Sequence, residues 1–175
     1  MQTVCANAVC LEAALEYLSH GWAAIPLCSP NHQDAPPAHV RECTRPGKGP
    51  LICWKTYQER LPTERELRIY FNRWPSANVG VVLGRVSQLI GVDIDGLAAE
   101  TLWRELAGDL AGEEAAWSFP TPGGGRRLLF RIPPGVIVPR RRFDRDGSHV
   151  IILGEGSYTV MPPSVHPSGE VYSCG

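Results

Sequence analysis

An α+β fold with an antiparallel or mixed sheet is predicted by three observations. Short β-branched runs recur between turn residues: Asn78 to Gly84, Leu89 to Asp95, Arg127 to Ile132, Val150 to Leu153 and Tyr158 to Met161. Most of these runs pair off as hairpins, so the strands prefer antiparallel neighbours. Helical stripes fall before and between them, and together the patterns give about seven strands and three helices.

The elements follow in order. Val4, Ala8, Leu11, Leu15 and Leu18 recur at helical spacing, and Gly21 stops that helix. Trp22 to Leu27 reads as a short strand, and Pro26 implies a sheet edge or an early exit from the ladder. Cys28 to Pro50 has almost no apolar periodicity and forms a long insertion, which a compact domain keeps only when it is functional or pinned. Leu51 to Tyr57 is a short extended or helical piece. Thr63-Glu64-Arg65-Glu66 is a capping box after Pro62, and Leu67, Tyr70, Phe71 and Trp74 form the apolar stripe of the helix it starts. Pro75 ends that helix. The 78–84 and 89–95 strands then form a hairpin with a tight turn near Arg85 to Ser87. Ala98 to Leu110 is a further helix, with Leu102, Leu106 and Leu110 in register. Ala115 to Phe119 is a strand, Thr121 to Gly125 a glycine-rich loop, and Pro133 to Asp146 a basic, irregular connection. The 150–153 and 158–161 strands make another hairpin around Gly154-Glu155-Gly156, and Glu170 to Tyr172 starts one more strand.

The chain has 175 residues, 43% hydrophobic and 20% charged, which suits one globular domain over 1–175 with residues 28–50 inserted. It has no apolar run of membrane-span length and no basic-then-apolar leader, so a cytoplasmic setting is the default and no membrane partner is expected. The six cysteines are then thiols or metal ligands rather than disulfides. Cys5, Cys10, Cys53 and Cys174 read as ordinary small apolar residues. A net charge of −1 removes any global case for nucleic acid. The distribution differs: Arg126, Arg127, Arg131, Arg140, Arg141, Arg142 and Arg145 cluster against Asp144 alone. Such a stretch is either a phosphate-binding surface or a solvated arginine-rich loop.

Two motifs carry chemistry. Asp93 and Asp95 lie two apart in an apolar strand, so both point to one face while Val92 and Ile94 point to the other. Paired carboxylates on one face repel unless a cation or proton relieves them, and oxygen donors of this kind suit magnesium or manganese in phosphate chemistry. The alternative is turn chemistry at Asp95-Gly96. Cys28, His32, His39 and Cys43 follow C-x3-H-x6-H-x3-C spacing inside the insertion. Zinc held by these four residues, two cysteines and two histidines in two close pairs, would supply folding energy to a loop without a core. The site would be structural, since nothing suggests an open coordination position. Four unrelated surface residues are the other reading.

From Ala13 to Tyr172 these pieces, in order, resemble the bifunctional DNA primase/polymerase N-terminal domain of the archaeo-eukaryotic primase superfamily. The resemblance rests on Ala14 to Leu27, Pro46 to Leu51 before Trp54, Trp74 to Gly84, Gly91-Val92-Asp93-Ile94-Asp95-Gly96, Thr121 to Phe130, and Gly154 to Ser164. It implies a sheet like an RNA-recognition motif, with flanking helices, packed on a small N-terminal α/β module. It implies that Asp93 and Asp95 hold Mg2+ or Mn2+ for template-directed nucleotide addition, and that a zinc-binding insertion follows the first strand. Gly123, Gly124, Gly125, Arg126 and Arg127, with Lys48 and Asn78, would hold the nucleoside triphosphate. Arg140, Arg141 and Arg142 would hold the backbone of a DNA or RNA template or primer. Two positions depart from the family pattern. Arg127 stands where a histidine is expected, and Ile151 where the third acid is expected. The resemblance therefore implies a DNA primase/polymerase-like nucleotidyltransferase, weakened or inactive unless another residue substitutes, with a degenerate nucleotide- or nucleic-acid-binding module of the same fold as the alternative. Relatives commonly continue, often into a helicase domain. The end at Gly175 leaves open a fragment, a truncated piece and a stand-alone descendant. Replication of a mobile genetic element is the inherited context.

Overall fold

The computed structural model describes residues 6–109 and 115–173, so Val4, Cys5, Leu110 and Cys174 of the sequence reading lie outside the described residues. Helix α1 (Ala6–Ser19) ends at Gly21, whose φ of +79° breaks the helical turn. Strand β1 (Ala23–Leu27) follows as expected and lies at an edge, where Pro26 is tolerated. The insertion carries a short helix, α2 (Pro37–Glu42). A 3₁₀ turn at Trp54–Gln58 leads to α3 (Glu64–Arg73). The capping box is present in full: Glu66 N–H donates to Thr63 Oγ1 at 3.2 Å, and Thr63 N–H donates to Glu66 Oε2 at 2.8 Å. Leu67, Phe71 and Trp74 are buried on one side of that helix and its cap.

Two antiparallel sheets make the frame. Strand β2 (Asn78–Val82) lies between β1 and β8 (Tyr158–Val160) in a three-stranded sheet. The five-stranded sheet has the order β4 (Trp117–Thr121), β5 (Gly125–Arg131), β3 (Leu89–Asp95), β7 (Ser148–Leu153), β6 (Arg141–Arg145). Helices α1 and α3 serve the small sheet, and α4 (Ala99–Ala107) packs on β3 and β7 of the large one. This is the sheet-plus-small-module architecture expected from the sequence.

Both hairpins proposed across the sheets are corrected by the topology. β2 and β3 share only the bridge between Gly84 and Leu89 and then separate into different sheets. β7 and β8 likewise belong to different sheets. The two crossing points are packed against each other. A Cβ on Gly84 (φ +95°) would sit 2.3 Å from Glu155 Oε2, and one on Gly154 would sit 1.9 Å from the Val138 carbonyl oxygen. Local alternation cannot reveal a change of sheet, because both halves of each segment still alternate. The irregular connection over 133–146 is also corrected: residues 141–145 form β6, an edge strand whose residues are exposed except for Phe143. Its arginines hide the apolar period. The strand expected at 170–172 is reduced to a bridge between Val165 and Val171.

One face of β3 changes character along its length. Leu89, with Leu129 and Phe119 from the neighbouring strands, is buried in the core shared with α1, β1, β2 and α3. Further along the same face come Asp93 and Asp95, which emerge from that core. The opposite face, with Val92, Ile94, Leu128 and Val150, packs on Ala99, Leu102 and Trp103 of α4. Fully burying side chains of this size is worth about 1.5–3 kcal/mol each. Two packed faces thus hold the aspartate strand rigidly where it leaves the core. Among the described residues, no helix is long and apolar enough to cross a membrane.

Candidate phosphate cleft and metal centre

Asp93 occupies the central strand, and its neighbours are set by register. Arg127 on β5 and Ile151 on β7 lie directly across from it, and Arg142 on β6 lies across from Ile151. Cross-strand partners share a face, so these side chains form one row over the sheet. Arg127 Nη2 lies 2.7 Å from Asp93 Oδ1, and the two side chains are only 12% and 20% exposed. Arg127 Nη1 also donates to Thr159 Oγ1 on β8, so the guanidinium ties the large sheet to the small one. Its Nε is buried without a hydrogen-bond partner. The next row on this face holds Asp95 and His149, with Nε2 3.8 Å from Oδ2.

The glycine turn serves Asp95 rather than Asp93. Gly123 and Gly124 have φ values of +104° and +87° and open space around them. Gly125 is different: a Cβ there would lie 2.7 Å from the Ile94 carbonyl oxygen and 3.3 Å from Asp95 Oδ1. Only glycine lets β5 pass this close to the aspartate strand. Arg126 points to the opposite face, where Nη2 lies 2.9 Å from Glu100 Oε2 of α4. Arg141 also lies on the α4 side by strand alternation, and Arg142 is tied to Asp144 at 2.8 Å. Asn78 is buried. Its Nδ2 donates to the carbonyls of Gly47 and Val165, and its Oδ1 accepts from Val165 N–H, at 2.8–2.9 Å. Its amide thus fastens the insertion to the C-terminal segment. Glu155 is committed as well, accepting from Arg85 N–H at 2.9 Å.

Between the two sheets lies a cleft of about 280 Å3, lined by Arg45, Lys48, Asp93, Arg127 and Arg140, with Tyr158 and Tyr172. Of the residues expected to meet nucleotide or nucleic acid, the structure brings Lys48, Arg127 and Arg140 together here. Arg45 and the two tyrosines were not foreseen. Arg45 could have been suspected from its place just after Cys43 in the basic end of the insertion. Tyr172 carries no local signal, because it reaches the cleft only through the fold. Burial and the neighbouring Arg127 and Arg45 push the Lys48 ammonium below its ordinary value, against the opposing pull of Asp93 and Asp95. Positive charge is concentrated here beyond what the protein neutralises.

The insertion leading to Lys48 is built around four side chains. The ligand atoms of Cys28, His32, His39 and Cys43 all lie within 4.8 Å of one another. The two sulfurs are 3.9 Å apart. Tetrahedral zinc with bonds of about 2.3 Å requires roughly 3.8 Å between sulfurs. Nε2 of His32 and Nε2 of His39 are both buried without a hydrogen-bond partner, as expected of atoms meant for a metal. Burial raises the Cys28 thiol, while the amides of Gly49 and Gly47 oppose that shift. Burial and the His32 ring lower His39 from its ordinary value, against the opposing effect of Glu42, a shift that favours the neutral, ligating form. The donor set fits a structural zinc ion. Gly49 closes the cluster: a Cβ there would be 2.8 Å from Cys43 Sγ.

The family model for the bifunctional DNA primase/polymerase N-terminal domain matches residues 14–175. The chain belongs to this family. No curated protein sequence matches it. Membership in the primase/polymerase family places the cleft in a fold associated with nucleotide and nucleic-acid binding. The mixed α/β architecture and the Cys/His cluster agree with that assignment.

Proposed function

We propose that this primase/polymerase domain holds the phosphates of a nucleoside triphosphate and of a DNA or RNA strand, and that the native chain transfers nucleotides weakly or not at all. The observation that carries this reading is the row Arg127–Asp93–Ile151. In-line transfer on two divalent ions needs several carboxylate oxygens free to bind metal. Asp93 is instead engaged by Arg127 at 2.7 Å, and Ile151 presents hydrocarbon where the family pattern implies an acid. Asp95 and His149 alone do not make up the deficit. The donor set does not fit a pair of divalent ions.

What the chain's own residues do is bind. Lys48, Arg45, Arg127 and Arg140 would take phosphate oxygens, with Arg127 able to offer two parallel donors once it turns from Asp93. Zinc held by Cys28, His32, His39 and Cys43 would keep the Arg45–Lys48 segment in place.

Primer extension with labelled nucleotides and manganese tests this. The native chain should give little or no product. The double change Arg127→His with Ile151→Glu should create product. Extension by the native chain at the rate of an active relative would overturn the proposal. It would favour the second reading, a working primase-polymerase, which draws its support from the shared face of Asp93 and Asp95.

A further inference from the structure

Among the described residues, Arg127 is paired with Asp93, whereas Arg45, Lys48 and Arg140 make no ion pair. Arg45 instead lies over the Tyr158 ring, 5.8 Å from its centroid, and the Tyr158 hydroxyl donates to the Lys48 carbonyl at 2.9 Å. Tyr158 thereby holds the Lys48 backbone and carries the Arg45 guanidinium beside the cleft. Gathering like charges in a partly desolvated cleft is unfavourable unless an anion offsets it. The space is also selective. A volume of about 280 Å3 is at the small end for ligand sites, which run from about 300 to 1,000 Å3. That is room for a phosphate chain, and the sugar and base of a nucleotide would extend past these residues.

The residue expected to share metal with its neighbours instead shares a proton-rich guanidinium. Arg127 puts a fixed positive charge beside Asp93, and Ile151 removes the opposing donor. We propose that this cleft binds the di- or triphosphate chain of a nucleotide directly on Arg45, Lys48, Arg127 and Arg140, with no divalent ion between ligand and protein and without reading the base. This rests on the phosphate-binding function proposed above and specifies its ligand. With Asp93 offsetting one of the four cations, the lining keeps a net charge of about three positive, which a chain carrying roughly three to four negative charges matches. Magnesium bound to the ligand would cancel about two of those charges and weaken the attraction.

Isothermal titration of the zinc-loaded chain with inorganic tripolyphosphate, dATP and dCTP tests this, in buffer first without magnesium or manganese and then with magnesium. All three ligands should bind with similar affinity in the metal-free buffer, and magnesium should weaken each several-fold. Arg45→Ala and Lys48→Ala should each weaken tripolyphosphate about tenfold or more, the usual loss for a charged hydrogen-bonding partner. Binding that requires magnesium would overturn the metal-free inference while leaving the phosphate cleft standing. Strong discrimination between dATP and dCTP would overturn its base-indifferent part. No binding of any ligand in either buffer would overturn both this inference and the function it rests on.

Discussion

Arg127 and Asp93 face each other across strands β5 and β3, with Nη2 2.7 Å from Oδ1 and both side chains largely buried. The pair sits where the packed face of β3 opens into the cleft. It relieves the repulsion expected between Asp93 and Asp95 with a protein cation. The same contact that stabilises the aspartate occupies one of its two oxygens.

A double-mutant cycle measures that relationship. Arg127→Ala leaves a largely buried carboxylate unpaired, and Asp93→Asn leaves the guanidinium without its counter-charge. Each single change should destabilise the fold, and the double change should cost less than their sum. The coupling should be about 1–3 kcal/mol in urea unfolding. Additive losses would show that the two side chains stabilise independently.

Metal removal should be felt beyond the insertion. Metal analysis should find one zinc per chain, and none in the Cys28→Ser/Cys43→Ser variant. Stripping zinc should lower the melting temperature by about 5 °C, equivalent to roughly 2 kcal/mol. It should also weaken tripolyphosphate binding, because Cys28 N–H donates to Gly49 O at 2.7 Å next to Lys48. In Lys48→Ala that extra weakening should shrink. A native chain that holds no zinc would remove the basis of this link.

Acid should loosen the N-terminus of α3. Hydrogen bonds from Arg60, with those from the Thr63 backbone and hydroxyl, hold Glu66 far below its ordinary value of 4.5, against the opposing effect of burial. A carboxyl whose folded pKa is depressed stabilises the fold above the unfolded value, and that contribution is lost as pH falls toward the folded value. Native stability should therefore decline below about pH 4.5. Glu66→Gln keeps a capping-box side chain without the charge, so its acid decline should be shallower. Parallel declines in urea midpoints for the two proteins would assign the acid sensitivity elsewhere.

Legibility followed the range of the forces involved. The capping box at Thr63 and Glu66 was readable because both partners lie within one helical turn. The common face of Asp93 and Asp95 was readable because alternation is local. The Cys/His cluster was readable because its four ligands fall within one short insertion. The hairpins were misread for the same reason. Gly84 and Gly154 look like turn residues, and nothing nearby says that the chain changes sheet there. Asn78 looked like a ligand residue, but its amide is consumed by Gly47 and Val165.

The sequence by itself determined most of the elements, the family resemblance, the aspartate pair and the metal-ligand set, each from residues close along the chain. Only the tertiary structure decided which of these face one another. It set Arg127 and Ile151 on either side of Asp93, turned Arg126 onto Glu100, and gathered Arg45, Lys48 and Arg140 into one cleft. The physical reason is that cross-strand register and sheet membership are fixed by packing over the whole core. Charges distant in sequence acquire their partners only when that core forms.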